Sequence, residues 1–542
     1  MNTTTSHAEL GQLQARIAEL EVLLRVQDEM YQKQIEEQAH MLEKRDEQIE
    51  TLSEQVRLLK ALEYARRSEK QRKLPSNELQ LSLLFNEAEH GTPAEQESSE
   101  GQEPSEAEVI EVPAHTRAKR GRKPLPENLP RVEIIHDIPE EDKICACGCQ
   151  RKRIGEVASE KLSIIPQQIK VERHIRPKYA CPKCEGTAED DKPTVKIAPM
   201  PPQFIKQGIV TPGLLAYILM NKFCDALPFY RQTRIFERFG VEISDSTMSS
   251  WTIQAAERCE PLINLYLAKL RAGEIINMDE TTVQVLRESD RENTTKSYMW
   301  VARGGLPNKP VLLYHYEPSR ASRVAQELLG DFKGFLQTDG YGGYNALGRS
   351  EGITHVGCLA HVRRKFMDVT KATTKKKAGV ASTVIDLIGK IYHVEKVAKD
   401  KKFTPEEILK MREERVKPLF AKIKDILDTA SAPPSSTLGK AVTYALGQWS
   451  RVEAYLQNPR LSPDNNIVEN AIRPFAVGRK NWLFSGSPRG AKSSAALYSM
   501  IETAKANDVD PYQYLLYVFE GVTLAKTEAD WEKLFPWNMP KE

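Results

Sequence analysis

The chain has 542 residues, with 77 basic against 75 acidic side chains and a formal net charge of +2. Such length exceeds a single core, so about three or four folding units are expected. The charge balance excludes a uniformly basic or acidic protein, and the densest apolar stretch, Leu214–Met220, is too short to span a bilayer. A soluble intracellular protein is expected, in which eight cysteines serve as thiols or metal ligands rather than disulfides; five of them lie between Cys145 and Cys184.

Residues 8–70 read as one long helix. Leu13, Ile17, Leu20 and Leu24 follow heptad spacing, and the stripe resumes one step off register as Ile35, Leu42, Ile49 and Val56, with Leu52 and Leu59 alternating. No proline or glycine interrupts Leu13–Leu74. The pattern predicts a coiled coil with a mid-length slip that joins copies of the chain. The alternative is a single amphipathic helix packed on its own protein.

Residues 86–129 read as a disordered acidic linker (Glu87, Glu89, Glu95, Glu97, Glu100) followed by a basic arm, Arg117-Ala-Lys-Arg-Gly-Arg-Lys-Pro. Arg120-Gly-Arg122 suits an A·T-rich minor groove, although Lys123 separates it from the proline of an ideal AT-hook. A solvated linker is the bland alternative. Residues 130–200 carry Cys145-Ala-Cys147-Gly-Cys149 and Cys181-Pro-Lys-Cys184, the latter preceded by an alternating strand pattern over Ile169–Arg176. Two knuckles of this kind predict a zinc-ribbon-like domain held by Cys147, Cys181 and Cys184, with Cys145 or Cys149 completing the set. Free thiols in a small β-domain are the alternative.

Residues 205–272 look helical. An amphipathic segment from Phe229 ends at Gly240, and Ser244/Asp245 cap a second helix through Met248 and Trp251. This is the helix-turn-helix outline of a DNA-binding domain, or an ordinary helical hairpin. From 273 the pattern turns to strands at Glu274–Met278, Ser297–Arg303 and Val311–Tyr316, then a helix from about Ala321 to Leu329. Strands Phe335–Thr338 and Ile353–Gly357 and a helix from Leu359 follow. Three strands, a helix, then alternating strand and helix is the order of a ribonuclease-H-like domain, expected over 273–505 with a helical insertion at 370–460. A C-terminal helical tail is expected over 506–542.

Three acids stand out. Asp279 and Asp339 each end an apolar run, and Glu469 lies on the helix begun by Ser462-Pro-Asp464. Brought together, they can hold two Mg²⁺ (or Mn²⁺) ions for phosphodiester cleavage and joining. Asp279 is preferred over Glu280 because Ile276, Met278 and Glu280 share the opposite strand face. Cys358 and His361 stand one turn apart before Arg363, Arg364 and Lys365; they order the active site or pack a strand–helix junction. Arg473, Arg479 and Lys480 beside Trp482 and Phe484 suggest phosphate contacts with a ring for stacking, or for Trp482 and Phe484 plain core packing.

Long strings of this sequence resemble transposases of the insertion-sequence family sixty-six, a DDE-class group. They include Ser68-Glu-Lys, Gly121-Arg-Lys-Pro-Leu-Pro, Arg176-Pro-Lys-Tyr-Ala-Cys-Pro-Lys-Cys184, Thr338-Asp-Gly-Tyr-Gly-Gly-Tyr344, Gly357-Cys-Leu-Ala-His-Val-Arg-Arg-Lys-Phe and Asp464-Asn-Asn-Ile-Val-Glu-Asn-Ala-Ile-Arg-Pro. The resemblance spans nearly the whole chain. It implies a bacterial mobile-element transposase, cytoplasmic and nucleoid-associated, that binds terminal inverted repeats and target DNA and works with accessory proteins of the same element. It places Asp279, Asp339 and Glu469 at the family's catalytic positions. The first cysteine knuckle is compressed relative to the family's Cys-x-x-Cys.

Overall fold

The computed structural model describes residues 4–63, 168–180, 195–372 and 379–540. It divides into two compact units, one of residues 92–199 and one of residues 1–91 with 200–542.

In the smaller unit, β1 (Lys178–Ala180) pairs antiparallel with β2 (Val195–Ile197), Tyr179 opposite Lys196. The alternation over Ile169–Arg176 does not form the expected strand. Val171 and Ile175 are largely exposed, so alternate side chains have no face to bury, and pairing begins only at Lys178. Cys145, Cys147, Cys149, Cys181 and Cys184, and Arg120 and Arg122 of the basic arm, lie outside the described residues.

The larger unit is built on a mixed sheet of order β5-β4-β3-β6-β7. Strands β3 (Ile275–Val285), β4 (Lys296–Leu306) and β5 (Lys309–Glu317) are antiparallel neighbours. Strands β6 (Gly334–Gln337) and β7 (Ile353–Val356) continue the sheet in parallel on the other side of β3. β3 runs well past the expected Met278, because Thr281, Val283 and Val285 keep one face buried while Glu280 and Gln284 mask the run in sequence. It pairs with β6 only over Ile275–Asn277, and its far end takes the two-residue β8 (Phe484–Ser485). Between those pairings its middle residues are left to other partners.

Helices α2 (Pro212–Phe223), α3 (Phe229–Glu237), α4 (Asp245–Arg258) and α5 (Glu260–Arg271) occupy 205–272 as expected. Thr211 caps α2 and Ser244 caps α4 through side-chain oxygens. Gly240, at φ +74°, makes the turn after α3. The buried face of α4 (Met248, Trp251, Ala255) packs on α13 (Pro488–Ala506). Its outward side chains Ser246 and Ser250 are uncharged, and Glu257 is paired with Arg489. The positive charge of the hairpin lies instead on and just after α3, at exposed Arg231, Arg234 and Arg238.

β5 is an edge strand, and α13 closes it. Ser499 Oγ accepts the Tyr314 amide at 2.8 Å and Thr503 Oγ1 accepts that of Leu312 at 3.0 Å. After α6 (Ser322–Leu329) and β7 comes α7 (Leu359–Ala372), and the chain continues as a helical block. It comprises α8 (Val380–Asp400), α9 (Pro405–Met411), a π-turn at Arg412–Val416, α10 (Lys417–Thr429) and α11 (Thr437–Glu453). This block does not carry a separate core. Val356, Leu359, Val362 and Phe366 of the sheet side share one cluster with Ile388, Phe420, Ile423 and Trp449. Helix α12 (Asn466–Trp482) then returns to the sheet, and α14 (Pro511–Val522) and α15 (Glu528–Lys533) end the chain against α2 and α5.

The long α1 (Thr4–Glu63) forms as expected. Its C-terminal turns lie against α7 and α11 of the same chain, where Glu54 accepts from the backbone and hydroxyl of Thr437, the first residue of α11. Its remaining stripe, including Leu24, Ile35, Leu42 and Ile49, is exposed. Among the described residues, no helix is long and apolar enough to cross a membrane.

Candidate active site

The three acids converge from three elements. Asp279 sits mid-strand on β3, 6% exposed, with its Oδ1 accepting the amide of Glu280 at 2.8 Å. Asp339 follows β6, and its Oδ1 accepts the Tyr341 amide at 2.9 Å. Glu469 lies in the first turn of α12, which begins at Asn466 rather than at Ser462. Asp464 instead accepts the Asn466 amide at 3.1 Å, just ahead of the helix. Glu469 is 4% exposed and neither of its buried carboxylate oxygens makes a hydrogen bond.

Burial lifts all three carboxyls above the ordinary range, and neighbouring acids add to it for Asp279 and Glu469. Asp279 is raised well above by burial, then by the charges of Glu280, Asp339 and Glu469. Asp339 is raised by burial and held back by the Tyr341 amide, Arg320 and Arg364. Glu469 is pushed up to about 8 by burial, with Arg364 opposing and Asp464 and Asp339 reinforcing the rise. Such a cluster is short of positive charge.

Side-chain amides hold the acid-bearing elements together. Asn277 Nδ2 donates to Gln337 Oε1 and to Asn465 Oδ1, each at 3.0 Å, linking β3, β6 and the start of α12. Asn465 Nδ2 donates in turn to the Met278 carbonyl at 3.0 Å, beyond the point where β6 leaves β3. Gln337 Nε2 reaches the Ser462 carbonyl at 2.8 Å. Apolar periodicity alone does not single out these residues. The available signal was a polar residue two places before each aspartate in an apolar run, hence on the same strand face: Asn277 before Asp279 and Gln337 before Asp339. Asn465→Ala is expected to cost about 1–3 kcal/mol, because it orphans buried partners. Urea unfolding measures this, and a loss below about 0.5 kcal/mol would show that the network is dispensable.

Glu280, the competitor of Asp279, is already committed. Its side chain is 1% exposed and accepts from Arg320 Nε and from the Tyr344 hydroxyl. The Arg320 guanidinium lies 3.7 Å from the centre of the Tyr341 ring, and the Tyr341 hydroxyl donates to the Arg320 carbonyl at 3.2 Å. The Asp339 loop is thereby braced on both sides. Its glycines follow from crowding: a Cβ at Gly340 would meet the Tyr444 hydroxyl at 2.2 Å, and one at Gly343 the Tyr341 ring at 2.3 Å.

Cys358 and His361 also reach this edge. Cys358 Sγ accepts the Asn465 amide at 3.3 Å, and His361 Nδ1 lies 3.8 Å from Glu469 Oε1. Burial and the nearby Arg364 and Lys365 push His361 down to about 3. Among the predicted basic residues, Arg364 is close enough to act on Asp339 and Glu469, and Lys365 lies 5.6 Å from the Tyr444 ring centre. Arg363 is half-buried on the same helix, and its Nε is buried without a hydrogen bond. Arg479 is anchored on the hydroxyls of Thr281 and Thr282 at 3.2 and 3.3 Å. Arg473 and Lys480 are exposed farther along α12. The half-buried Trp482 ring packs edge-on against buried Phe475 at 5.4 Å, whereas neighbouring Leu483 and Phe484 are exposed.

The class is that of DNA-transposing proteins. Residues 207–493, which hold the sheet and all three acids, match the family model described as "Transposase IS66 family". Three further models match: "zinc-finger binding domain of transposase IS66" at 142–185, "Transposase C of IS166 homeodomain" at 51–134, and "IS66 C-terminal element" at 499–537. Similar proteins include two uncharacterized proteins of Sinorhizobium fredii. One, y4jD, is 34% identical over 431 residues, covering 76% of this chain and 81% of its own. The other, y4qI, is 32% identical over 510 residues, covering 91% and 89%. The chain belongs to the IS66 transposase family. The zinc-finger match suggests a structural zinc, and the family of the central domain suggests a divalent metal.

Proposed function

We propose that this protein binds the ends of a bacterial insertion sequence and carries out Mg²⁺-dependent strand cleavage and transfer at Asp279, Asp339 and Glu469. The observation that carries this reading is the meeting of three buried carboxyls from β3, β6 and α12, each raised by burial and by other acids or opposed by cations. The sheet order, with its first acid on the first strand and its second after the fourth, supports a ribonuclease-H-like domain. An oxygen-only donor set suits Mg²⁺ or Mn²⁺, and Glu469's unbonded oxygens are ready donors. When bound, such ions activate an attacking hydroxyl and stabilise the leaving oxygen of a phosphodiester.

The chain's own residues do the rest. Asp279 and Asp339 are fixed by backbone amides, and Glu469 by its helix. Arg364 and Lys365 contact phosphate at the rim, while Arg479, Lys480 and Arg473 carry a basic track along α12. Arg120 and Arg122 contact the minor groove, and Cys145, Cys147, Cys181 and Cys184 hold the structural zinc. The exposed stripe of α1 pairs copies of the chain, and accessory proteins of the element join the complex. The testing assay uses DNA carrying the element's ends, with Mg²⁺, Ca²⁺ or EDTA. Products with Mg²⁺ alone support the reading; products in EDTA overturn it.

A pH effect follows. A carboxyl raised on folding adds stability that is complete below its unfolded value, near 4.5 for Glu469, and is lost as pH rises through about 8. The metal-free protein is therefore expected to lose thermal stability across that window. Mg²⁺ at one fixed concentration, about 100 times its dissociation constant at the alkaline end, restores about 2.7 kcal/mol there and less at lower pH, where protons compete for the carboxyls. Calorimetry with and without Mg²⁺ checks this; a gain independent of pH would place the ion elsewhere.

A further inference from the structure

We propose that Cys358, His361 and Glu469 form a second cation site, for a thiophilic divalent ion of the zinc class, which shares Glu469 with the acidic triad. One ligand atom from each residue lies within 4.8 Å of the others. The three come from two helix starts. Cys358 immediately precedes α7, His361 is three residues on and so on the same face, and Glu469 is in the first turn of α12. Cys358 is 3% exposed, and Glu469 buries two carboxylate oxygens that no hydrogen bond satisfies.

Burying carboxyl oxygens without a hydrogen bond is costly, so such a group points to a ligand. The donor set says which kind. Sulfur, nitrogen and oxygen together select zinc-like ions, whereas Mg²⁺ takes oxygen alone. Ligands about 2.0–2.3 Å from zinc lie about 3.5 Å apart, so the cluster needs to close by only about 1 Å. The Asn465 amide already donates to Cys358 Sγ, the kind of outer contact that orients a thiolate ligand. Binding displaces the protons of the thiol and of the Glu469 carboxyl to solvent and leaves a fourth coordination position open.

The consequence for Glu469 rests on the function proposed above; the cation site itself does not. With a zinc-class ion in place, Glu469 is drawn toward Cys358 and away from its magnesium role, so the two ions compete.

The test titrates the full-length chain, stripped of metal, with Co²⁺ and follows the thiolate–cobalt absorption and the stoichiometry. Wild type is expected to take up one equivalent more than Cys358→Ser, whatever the zinc-finger region binds. The loss in Cys358→Ser should exceed the 10–100-fold, roughly, that removal of an outer contact costs. Equal uptake by the two chains overturns the site. If serine at 358 disturbs folding, Glu469→Gln gives the same comparison with both other ligands present. Adding Mg²⁺ separates the two ideas. Competition supports shared use of Glu469. An extra equivalent indifferent to Mg²⁺ keeps the cation site and removes Glu469 from the magnesium site.

Discussion

The expected result of Asp279→Asn, Asp339→Asn or Glu469→Gln is loss of metal-dependent cleavage with binding of the element's ends retained. Removing one preorganised charge that stabilises a transition state costs on the order of 100-fold or more. Here the loss should lie at the upper end, since each acid comes from a different element and none has a substitute nearby. Glu280 is the obvious candidate to take over from Asp279, but Arg320 and Tyr344 already hold it. Asp464 is no replacement for Glu469, because it is spent on the Asn466 amide. The variants should also titrate differently. Asp279 is raised partly by Asp339 and Glu469, so neutralising either partner lets its carboxyl fall toward the ordinary range. End-binding by gel shift and cleavage on the same DNA are the two readouts. A variant that still cuts at the wild-type rate removes that acid from the site.

The second large effect is on stability. Arg412 is 3% exposed in the π-turn between α9 and α10. It grips Glu395 with two nitrogens at 2.8 and 3.0 Å and donates to the carbonyls of Tyr455, Asn458 and Leu461 at 3.0, 2.8 and 2.7 Å. Its guanidinium also lies 4.6 Å from the Tyr455 ring centre. Arg412→Ala takes the charge partner from half-buried Glu395, which keeps the Tyr455 hydroxyl at 3.3 Å, and a donor from each of three carbonyls; it is expected to cost about 3–5 kcal/mol. Arg412→Lys keeps the charge but not the fork, so it should fall between. Because the carbonyls lie just before Ser462, whose own carbonyl is bonded to Gln337, loosening there reaches the acid-bearing edge. Denaturant unfolding of the pair measures the effect. A loss below about 1 kcal/mol for alanine would mean that water replaces the guanidinium.

The strands and helices around the acids were legible because their apolar periodicity is strong and local. Val311–Tyr316, Phe335–Thr338 and Leu359–Val369 each differ from the observed element by only a few residues. The family strings were legible for a different reason: they are long and specific. What stayed hidden were pairings between distant residues. No spacing in the sequence shows that Asn465 reaches Met278, 187 residues away, or that Glu280 is consumed by Arg320. The outward face of α4, poor in positive charge, was hidden too, since helix-turn-helix spacing says nothing of which face a neighbouring helix covers. Ile169–Arg176 misled because alternation predicts a strand only where a surface exists to bury one side.

The apolar cluster shared by β7, α7 and the helical block has a thermodynamic meaning. Regions that hold the same side chains in common cannot unfold one after the other, so a single cooperative transition should include both. A deletion that excised the block would strip Val356, Leu359 and Phe366 of their partners and take with it the helix carrying His361 and Arg364. The segment between the second and third acids is thus part of what the acid-bearing edge is made of, and its removal would reach that edge.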